Sequence, residues 1–393
     1  MSHRVVHISS VHSWDDERVY GRELGTLVRA GYDVHWMAVD DNRGSGDTSR
    51  RSDVTLHHLP RRGLAARLIR SPGLARRSAD LGAALYHIHD PELLPAAMSI
   101  RRRTGARIVY DKHEYQRGRR GAKAAVTAAV ERFFAPRVDG VVVVECADAS
   151  LGTVPQKADE CVRPDVDGLN LERVEVAWLP NYPRSSGTSS LVRSSETSPP
   201  GEPIRLVYTG VLARERGLWF MLDLVEEMKR RGRSVELDLV GVCHRANERA
   251  DFEAELRRRG MEHDIRLVGW TRGVPWQDLM REASRADVGL MLMDPRYRSW
   301  SNIPTKFYEY MSLGLPIVCT AYAGWMDFVL RWGCGVVVDP RNASSVADHV
   351  LEVVDSPETY AELSATGKQA STRFSWEAVE GRLVDLYRRL GVG

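Results

Sequence analysis

Apolar and polar positions repeat along this chain in two successive series, each reading strand, helix, strand. In the first, Arg4 to Ser9 reads as a strand and Glu17 to Ala30 carries Val19, Leu24, Leu27 and Val28 near helical period. Gly31 stops that helix and Val34 to Val39 returns to strand. Further strands are predicted at Val54 to Leu59, Leu85 to His89, Arg107 to Tyr110 and Gly140 to Val144, with helices over Leu93 to Arg103 and Ala122 to Phe134. A helix from Ala147 to Lys157 and a strand from Val174 to Trp178 close the series. The Ser-, Gly- and Pro-rich passage 184–203 reads as a linker or mobile loop. The second series places strands at Ile204 to Thr209, Val235 to Val240, Ile265 to Val268 and Val288 to Met293. Helices fall between them, over Leu218 to Arg231, Asp251 to Arg259 and Trp276 to Ala286. Alternation of this kind predicts parallel sheets: an α/β chain of two Rossmann-like domains, 1–183 and 204–375, facing across a cleft. A last segment, 376–393, has Val379, Leu383, Leu386 and Leu390 at helical spacing.

Functional loops of such sheets lie at the carboxyl ends of strands. Three polar loops of the first domain fall there: Ser13 to Arg18, which holds Asp15 and Asp16; His87 to Glu92, which holds His89 and Asp90; and Tyr110 to Tyr115, which holds His113 and Glu114. Their convergence on one edge points to a binding site. A divalent-metal reading of His87, His89, Asp90, His113 and Glu114 competes, since histidines two apart at a strand end can chelate. The expectation that these pairs point to opposite faces of a continuing strand argues against it, and no metal ligand is assigned.

In the second domain the stretch Ser301 to Val318 reads as loop, short helix and strand. Ser301 and Asn302 suit a helix cap, Pro304 suits its first turn, and Gly314 with Pro316 ends it. The free N–H groups of such a start favour an anion at 303–305, and Lys306 and Glu309 share a helical face. A capped surface helix with a solvated ion pair is the plainer alternative.

Composition narrows the class without naming it. With 393 residues, 43% hydrophobic and 27% charged content and a net charge of +2, the chain is an ordinary globular one with no case for a nucleic-acid partner. Arginine crowds the first half, among others at Arg101, Arg102, Arg103, Arg117, Arg119 and Arg120, as solvated helix faces or as a field for an anionic membrane face or phosphate-bearing acceptor. Cys146, Cys161, Cys243, Cys319 and Cys334 lack metal spacing and fit reduced core thiols in a cytoplasmic protein. No signal peptide or membrane-length apolar run is expected.

The wording of these stretches resembles retaining glycosyltransferases of the GT-B fold, in particular glycosyltransferase family four. Asn302-x-Pro304-x-Lys306-x-x-Glu309-Tyr310-Met311, followed by Gly314-Leu315-Pro316, is similar to the family's nucleotide-sugar signature. There a Glu at the place of Glu309 binds the donor ribose, and a second Glu eight residues earlier is here Ser301. Val-His-x-x-Asp-Asp-x-Arg, His-x-His-Asp-Pro-Glu-Leu-Leu and Tyr-Asp-x-His-Glu resemble one bacterial branch, with Asp15 and Asp16 where commoner members carry Gly-Gly. The resemblance implies an acceptor site of Asp15, Asp16, Arg18, His89, Asp90, His113 and Glu114, with His113 near the transferred sugar. Gly210 to Gly217 resembles the family's Gly-Arg-x-x-x-x-Lys-Gly diphosphate loop; Arg216 matches the second cation, and Val211 replaces the first. Arg214, or backbone dipoles with Lys306, takes that place. Asn302, Pro304, Thr305 and the nucleobase loop at Gly269 and Trp270 complete the implied donor site, and the terminal helix is implied to cross back onto the first domain.

The activity that the resemblance implies is metal-independent, cofactor-free sugar transfer from a nucleoside diphosphate donor, UDP-sugar favoured, to a sugar, glycan, lipid-linked or small-molecule hydroxyl. Arg216, His113 and Lys306 are the expected catalytic groups. The expected location is cytoplasmic, with peripheral membrane contact through the Arg-rich domain. Two alternatives stay open: a nucleotide-sugar epimerase, and a non-catalytic module holding anionic glycan. An NAD enzyme is disfavoured, since no Gly-x-Gly-x-x-Gly follows either opening strand.

Overall fold

The structure, a computed structural model, describes residues 3–39, 53–60, 71–113, 121–145, 166, 168–185, 203–297 and 303–393. The expected helix at 147–157, most of the linker, and Glu114, Ser301 and Asn302 lie outside these. The chain divides into two units: Met1–Ala147 with Cys161–Asn181 and Glu377–Gly393, and Asp148–Glu160 with Tyr182–Trp376.

In the first unit seven strands form one sheet: β1 (Arg4–Ser13), β2 (Asp33–Val39), β3 (Val54–Leu59), β4 (Leu85–Ile88), β5 (Arg107–Lys112), β6 (Gly140–Val143) and β7 (Glu175–Trp178). Their order is β3-β2-β1-β4-β5-β6-β7, every pair parallel. Strands covered on both faces need near-continuous apolar runs, and Val5, Val6, Ile8, Trp36, Leu85, Tyr86, Ile108 and Val109 supply them. Among the polar residues that interrupt these runs, His7 on β1 stands in register with His87 on β4, and Asp111 and Lys112 end β5 buried. Strand order reverses between β1 and β4, which makes their carboxyl ends the crevice of the sheet.

The first helix departs from expectation. Glu17–Leu24 is a π-helix, and only Gly25–Arg29, α1, is α-helical. The Asp16 side chain accepts from the Val19 N–H at its start. Hydrogen bonding from i to i+5 brings residues five apart together, and Arg18 and Glu23 meet with Nε to Oε1 at 3.3 Å. A regular α-helix would turn one of them away.

Around the sheet lie α2 (Ser71–Ala79), α3 (Leu94–Thr104) and α4 (Ala122–Phe134), and the chain end returns as α12 (Gly381–Arg389). The return is held by polar contacts as well as by buried Leu383, Leu386 and Tyr387. Tyr32 Oη donates to Val392 O at 2.8 Å, Arg107 Nε to Leu390 O at 3.1 Å, and Arg389 pairs with Glu175 at 2.9 Å.

The second unit repeats the scheme with β8 (Ile204–Thr209), β9 (Val235–Val240), β10 (Ile265–Val268), β11 (Val288–Met291), β12 (Ile317–Thr320) and β13 (Gly335–Val338), ordered β10-β9-β8-β11-β12-β13 and all parallel. Its helices are α5 (Leu218–Arg230), α6 (Ala246–Arg259), α7 (Trp276–Ala283), α8 (Thr305–Ser312), α9 (Ala323–Trp332), α10 (Ala343–Asp355) and α11 (Pro357–Ser371). The order reverses between β8 and β11, and the loop after β8 is packed against the end of β11. Gly217 shows how tightly: at φ +81°, a Cβ added there would lie 1.6 Å from Leu292 O. Gly217→Ala is expected to cost about 1–3 kcal/mol from strain and backbone displacement, read by urea unfolding. A loss below about 0.5 kcal/mol, ordinary for a surface change, contradicts this packing.

Candidate functional site

In the first unit the carboxyl ends of β1, β4 and β5 gather a continuous set of hydrogen-bonded polar side chains. Asp90 Oδ2 accepts from Ser9 Oγ at 3.0 Å, Ser10 N at 2.6 Å and Ser10 Oγ at 3.1 Å, which folds the β1 loop onto the β4 loop. Arg18 is buried and reaches Asp111 through Nη2–Oδ1 at 3.1 Å, Asn181 Oδ1 at 2.7 Å and Leu179 O at 3.3 Å. His89 Nδ1 lies 3.2 Å from Asp111 Oδ2, and His89 Nε2 lies 2.9 Å from His7 Nδ1. Nearer the surface, His12 Nδ1 is 2.9 Å from Asp16 Oδ2, and His12 Nε2 is 2.9 Å from His113 Nε2.

This placement corrects part of the expected acceptor site. Arg18, His89 and Asp90 are buried with protein partners, so they form the support beneath the loops rather than a surface for an acceptor. Asp15 is exposed, and Asp16 and His113 are half-buried, which keeps these three at the rim. A second correction concerns His87 and His89. Residues two apart on a strand share a face, and the two rings lie 4.8 Å apart at 13°, not on opposite faces. Among the described residues two groups consequently bring metal-capable atoms together: His7, Glu23, His87 and His89, and His89, Asp111 and His113. His12, Glu23, His7, Asp111 and Tyr387 belong to the network without having been singled out. His12 and Glu23 lie in or just after the Val-His-x-x-Asp-Asp-x-Arg stretch, and Asp111 precedes His113 in its motif, so that signal was present.

Burial and charge set the protonation states. Burial lowers His7, His87 and His89, helped in each by neighbouring histidines, so all three are neutral imidazoles. Burial raises Glu23, and the Asp111 charge raises it further against the pull of Arg18. For Asp111, burial is outweighed by Arg18 and His113, which hold it well below the usual carboxylate range. Burial draws His12 down, but the hydrogen bond and charge of Asp16, with Asp90 and Asp111 beyond, raise it to about 9.

In the second unit the carboxyl ends of β8 and β11 bring cations together with carboxylates that are already ion-paired, Glu215 with Arg245 and Asp294 with Arg296. Gly210, at φ +101°, closes β8, and a Cβ there would stand 2.6 Å from Lys306 Nζ, so the amine lies against this backbone. Lys306 Nζ is also 5.4 Å from the Tyr208 ring centre. Burial lowers Lys306 to about 8, with Glu309 opposing and Arg216 adding to the shift. Arg216 Nη1 reaches Met293 Sδ at 3.7 Å, whereas the Arg214 guanidinium stacks at 3.5 Å on Trp219. Lys306 therefore lies beside Gly210, with Arg216 near enough for its charge to act on the amine, and Arg214 is stacked on Trp219 of α5. Pro304 and Thr305 begin α8, where no described side chain caps the backbone. Glu309 is 8% exposed, and its Oε1 accepts from Trp276 Nε1 at 2.9 Å. Gly269, at φ +74°, turns the loop after β10, while Trp270 packs 5.5 Å from Phe252 and donates to Glu253 at 2.7 Å. Trp270 is core, and Trp276, which the sequence reading passed over, occupies the first turn of the next helix.

Both units carry their polar constellations at the reversal point of a doubly wound sheet, the arrangement of a GT-B protein. The Glycosyl transferases group 1 model matches residues 193–370, and a Glycosyl transferase 4-like domain model matches 17–151. The chain belongs to the group 1, family-four-like glycosyltransferases. It is 23% identical over 190 residues to an alpha-D-kanosaminyltransferase from Streptomyces kanamyceticus, covering 48% of this chain and 46% of the relative. To a D-inositol 3-phosphate glycosyltransferase from Xylanimonas cellulosilytica it is 22% identical over 262 residues, 62% of this chain and 58% of the relative. The chain thus spans about half the length of these curated relatives. In fold it resembles sucrose-phosphate synthase from Thermosynechococcus elongatus (TM-score 0.72, 18% identity, 99% of each chain). It also resembles Anabaena HepE in complex with UDP and glucose (TM-score 0.69, 12% identity, 98% of this chain and 99% of that one).

The raised His12 has a consequence for stability. A histidine ordinarily near 6.5 and held at about 9 adds stability that is complete below about 6.5 and is lost as pH rises through 9. Thermal unfolding from pH 6 to 10 is expected to show this fall, with a shallower slope in His12→Asn. Equal slopes would place the His12–Asp16 pair outside the folded state's energetics.

Proposed function

We propose that this protein is a retaining glycosyltransferase that moves a sugar from a nucleoside diphosphate donor, a UDP-sugar by preference, to an acceptor hydroxyl. The observation that carries this reading is the cluster of Gly210, Lys306, Arg216 and α8, set beside a Glu309 oriented by Trp276. Bond cleavage at an anomeric carbon builds negative charge on the departing diphosphate while the sugar becomes oxocarbenium-like. Lys306, Arg216 and the start of α8 at Pro304 and Thr305 would stabilise that charge without a metal ion. Glu309 would hold the ribose hydroxyls, its Oε1 fixed by Trp276. Glu309, Asp294 and Glu215, on α8 and the loops after β11 and β8, are already held by Trp276, Arg296 and Arg245, which favours same-face displacement with the acceptor proton passing to the leaving phosphate. That HepE is described with UDP and glucose supports the uridine preference. Asp15, Asp16 and His113 would meet the acceptor, of the carbohydrate or natural-product class.

A peripheral membrane contact has one supporting feature. Phe133 is 55% and Val126 49% exposed on α4, and Arg101, Arg102 and Arg103 end the neighbouring α3. Exposed apolar and basic side chains of this kind suit an anionic bilayer surface. No helix among the described residues is long and apolar enough to cross a membrane.

Calorimetry with UDP, GDP and dTDP tests the donor reading. Glu309→Ala is expected to weaken the preferred nucleotide about 10–100-fold, the worth of a charged hydrogen bond. Binding that survives moves the ribose elsewhere, and an absence of binding to wild type removes the transferase reading. Arg216→Ala should lower turnover about 100–1,000-fold, and an unchanged rate would remove Arg216 from the mechanism. Because Lys306 sits at about 8 in the free protein, UDP affinity should fall as pH rises past 8, and Lys306→Met should abolish that dependence.

A further inference from the structure

The interior of the first unit holds a group of side chains that neither donor nor acceptor chemistry uses. We propose that His7, His87, His89 and Glu23 form a buried site for one divalent transition-metal ion of the zinc class.

Each of the four offers one donor atom, and all four atoms lie within 4.8 Å of one another. Their exposures are 0, 0, 1 and 0%. The outer nitrogen of every imidazole is already anchored: His89 Nδ1 to Asp111 at 3.2 Å, His7 Nε2 to Tyr387 Oη at 3.0 Å, and His87 Nδ1 to Tyr387 Oη at 2.8 Å. Metal-binding histidines are held this way, by a carboxylate or hydroxyl on the far nitrogen; one of His7 Nδ1 and His89 Nε2 carries the proton of their 2.9 Å hydrogen bond, and metal binding would displace it. The near nitrogens are His7 Nδ1, His89 Nε2 and His87 Nε2. His87 Nε2 and both carboxylate oxygens of Glu23 are buried without a hydrogen bond, a costly arrangement for an apo interior.

Distances and donor chemistry favour the same conclusion. Zinc–nitrogen bonds near 2.0–2.1 Å in a tetrahedron put ligand atoms about 3.3 Å apart. His7 Nδ1 stands 2.9 Å from His89 Nε2 and 3.9 Å from Glu23 Oε2, on either side of that value. Closing the shell asks the stacked His87 and His89 rings to turn about their Cβ–Cγ bonds, a soft torsion. Arg18 lies 3.3 Å from Glu23 Oε1, leaving Oε2 toward His7. Arg18 is shared between two carboxylates, 3.3 Å from Glu23 and 3.1 Å from Asp111. Three imidazoles and one carboxylate suit Zn²⁺ or Co²⁺ and not Mg²⁺ or Ca²⁺. The alternative triad of His89, Asp111 and His113 is less suited, because Arg18 already occupies both oxygens of Asp111. The ion would be structural, joining β1, β4 and the π-helix beneath the rim, and takes no part in sugar transfer.

The test uses the full chain produced in zinc-depleted, cobalt-supplemented medium and passed over a chelating resin. Wild type is expected to retain about one cobalt per chain with the visible absorption of four-coordinate Co²⁺. His87→Asn and Glu23→Gln should each weaken retention at least about tenfold, while His113→Asn keeps the spectrum. Less than about a tenth of an equivalent of transition metal in wild type overturns the site, whatever the variants' folding. Loss of cobalt with His113→Asn but not with Glu23→Gln also overturns it, by moving the ion to the triad.

Discussion

The first unit depends on a buried guanidinium. Arg18 enters the interior from a π-turn and meets Asp111 on β5, Glu23 on its own helix, and Asn181 and Leu179 O beyond β7. Desolvating a charge is expensive, and only several well-placed partners offset it. The partners come from three separate segments, so the cation fixes their mutual position. Asp111 stays ionised because Arg18 is there, and the ionised Asp111 orients His89 and lies 3.4 Å from His113 Nδ1. At the rim, His113 thus faces a carboxylate held in place by a contact that never reaches the surface.

The second unit solves the same geometric problem with other chemistry. Its reversal point is shaped by close backbone approach, with Gly210 against Lys306 and Gly217 against Leu292, and by the buried Tyr310 hydroxyl accepting from Thr209 N at 3.0 Å. Lys306 and Arg216 stand there with carboxylates that are already ion-paired, where the first unit collects imidazoles and carboxylates. A diphosphate and a sugar hydroxyl need these two different environments, one to stabilise accumulating charge and one to orient neutral oxygen. The division fits the proposed transfer reaction better than an epimerase, which needs no acceptor surface.

Much of this was legible in sequence because parallel strands announce themselves. Ile204–Thr209, Val235–Val240 and Ile265–Val268 are as expected, since fully buried strands read as short apolar runs between glycine turns. The carboxyl-end loops were found for the same reason. What was not legible depends on partners distant in sequence or on unusual local geometry. Nothing in Glu17–Leu24 distinguishes a π-helix from an α-helix until Arg18 and Glu23 are seen to share a face. Burial of Arg18, His89 and Asp90 follows from Asp111 and from Ser9 and Ser10, not from their own motifs. Trp270 and Trp276 look alike in sequence, yet one packs on Phe252 and the other reaches Glu309.

The terminal helix shows why a hydrophobic period underdetermines packing. Leu383, Leu386 and Leu390 would suit any apolar surface, and spacing alone does not choose among them. Tyr387 does choose. Its ring packs on Tyr32 with centres 5.7 Å apart, and its hydroxyl meets His7 Nε2 and His87 Nδ1. Buried away from water, that hydroxyl needs partners, and paired imidazole nitrogens between β1 and β4 meet the need. A register shift of the helix by one residue would leave three polar groups unpaired in the core. The same bonds orient two of the three imidazoles, so the chain end selects both its own docking position and the orientation of those two rings.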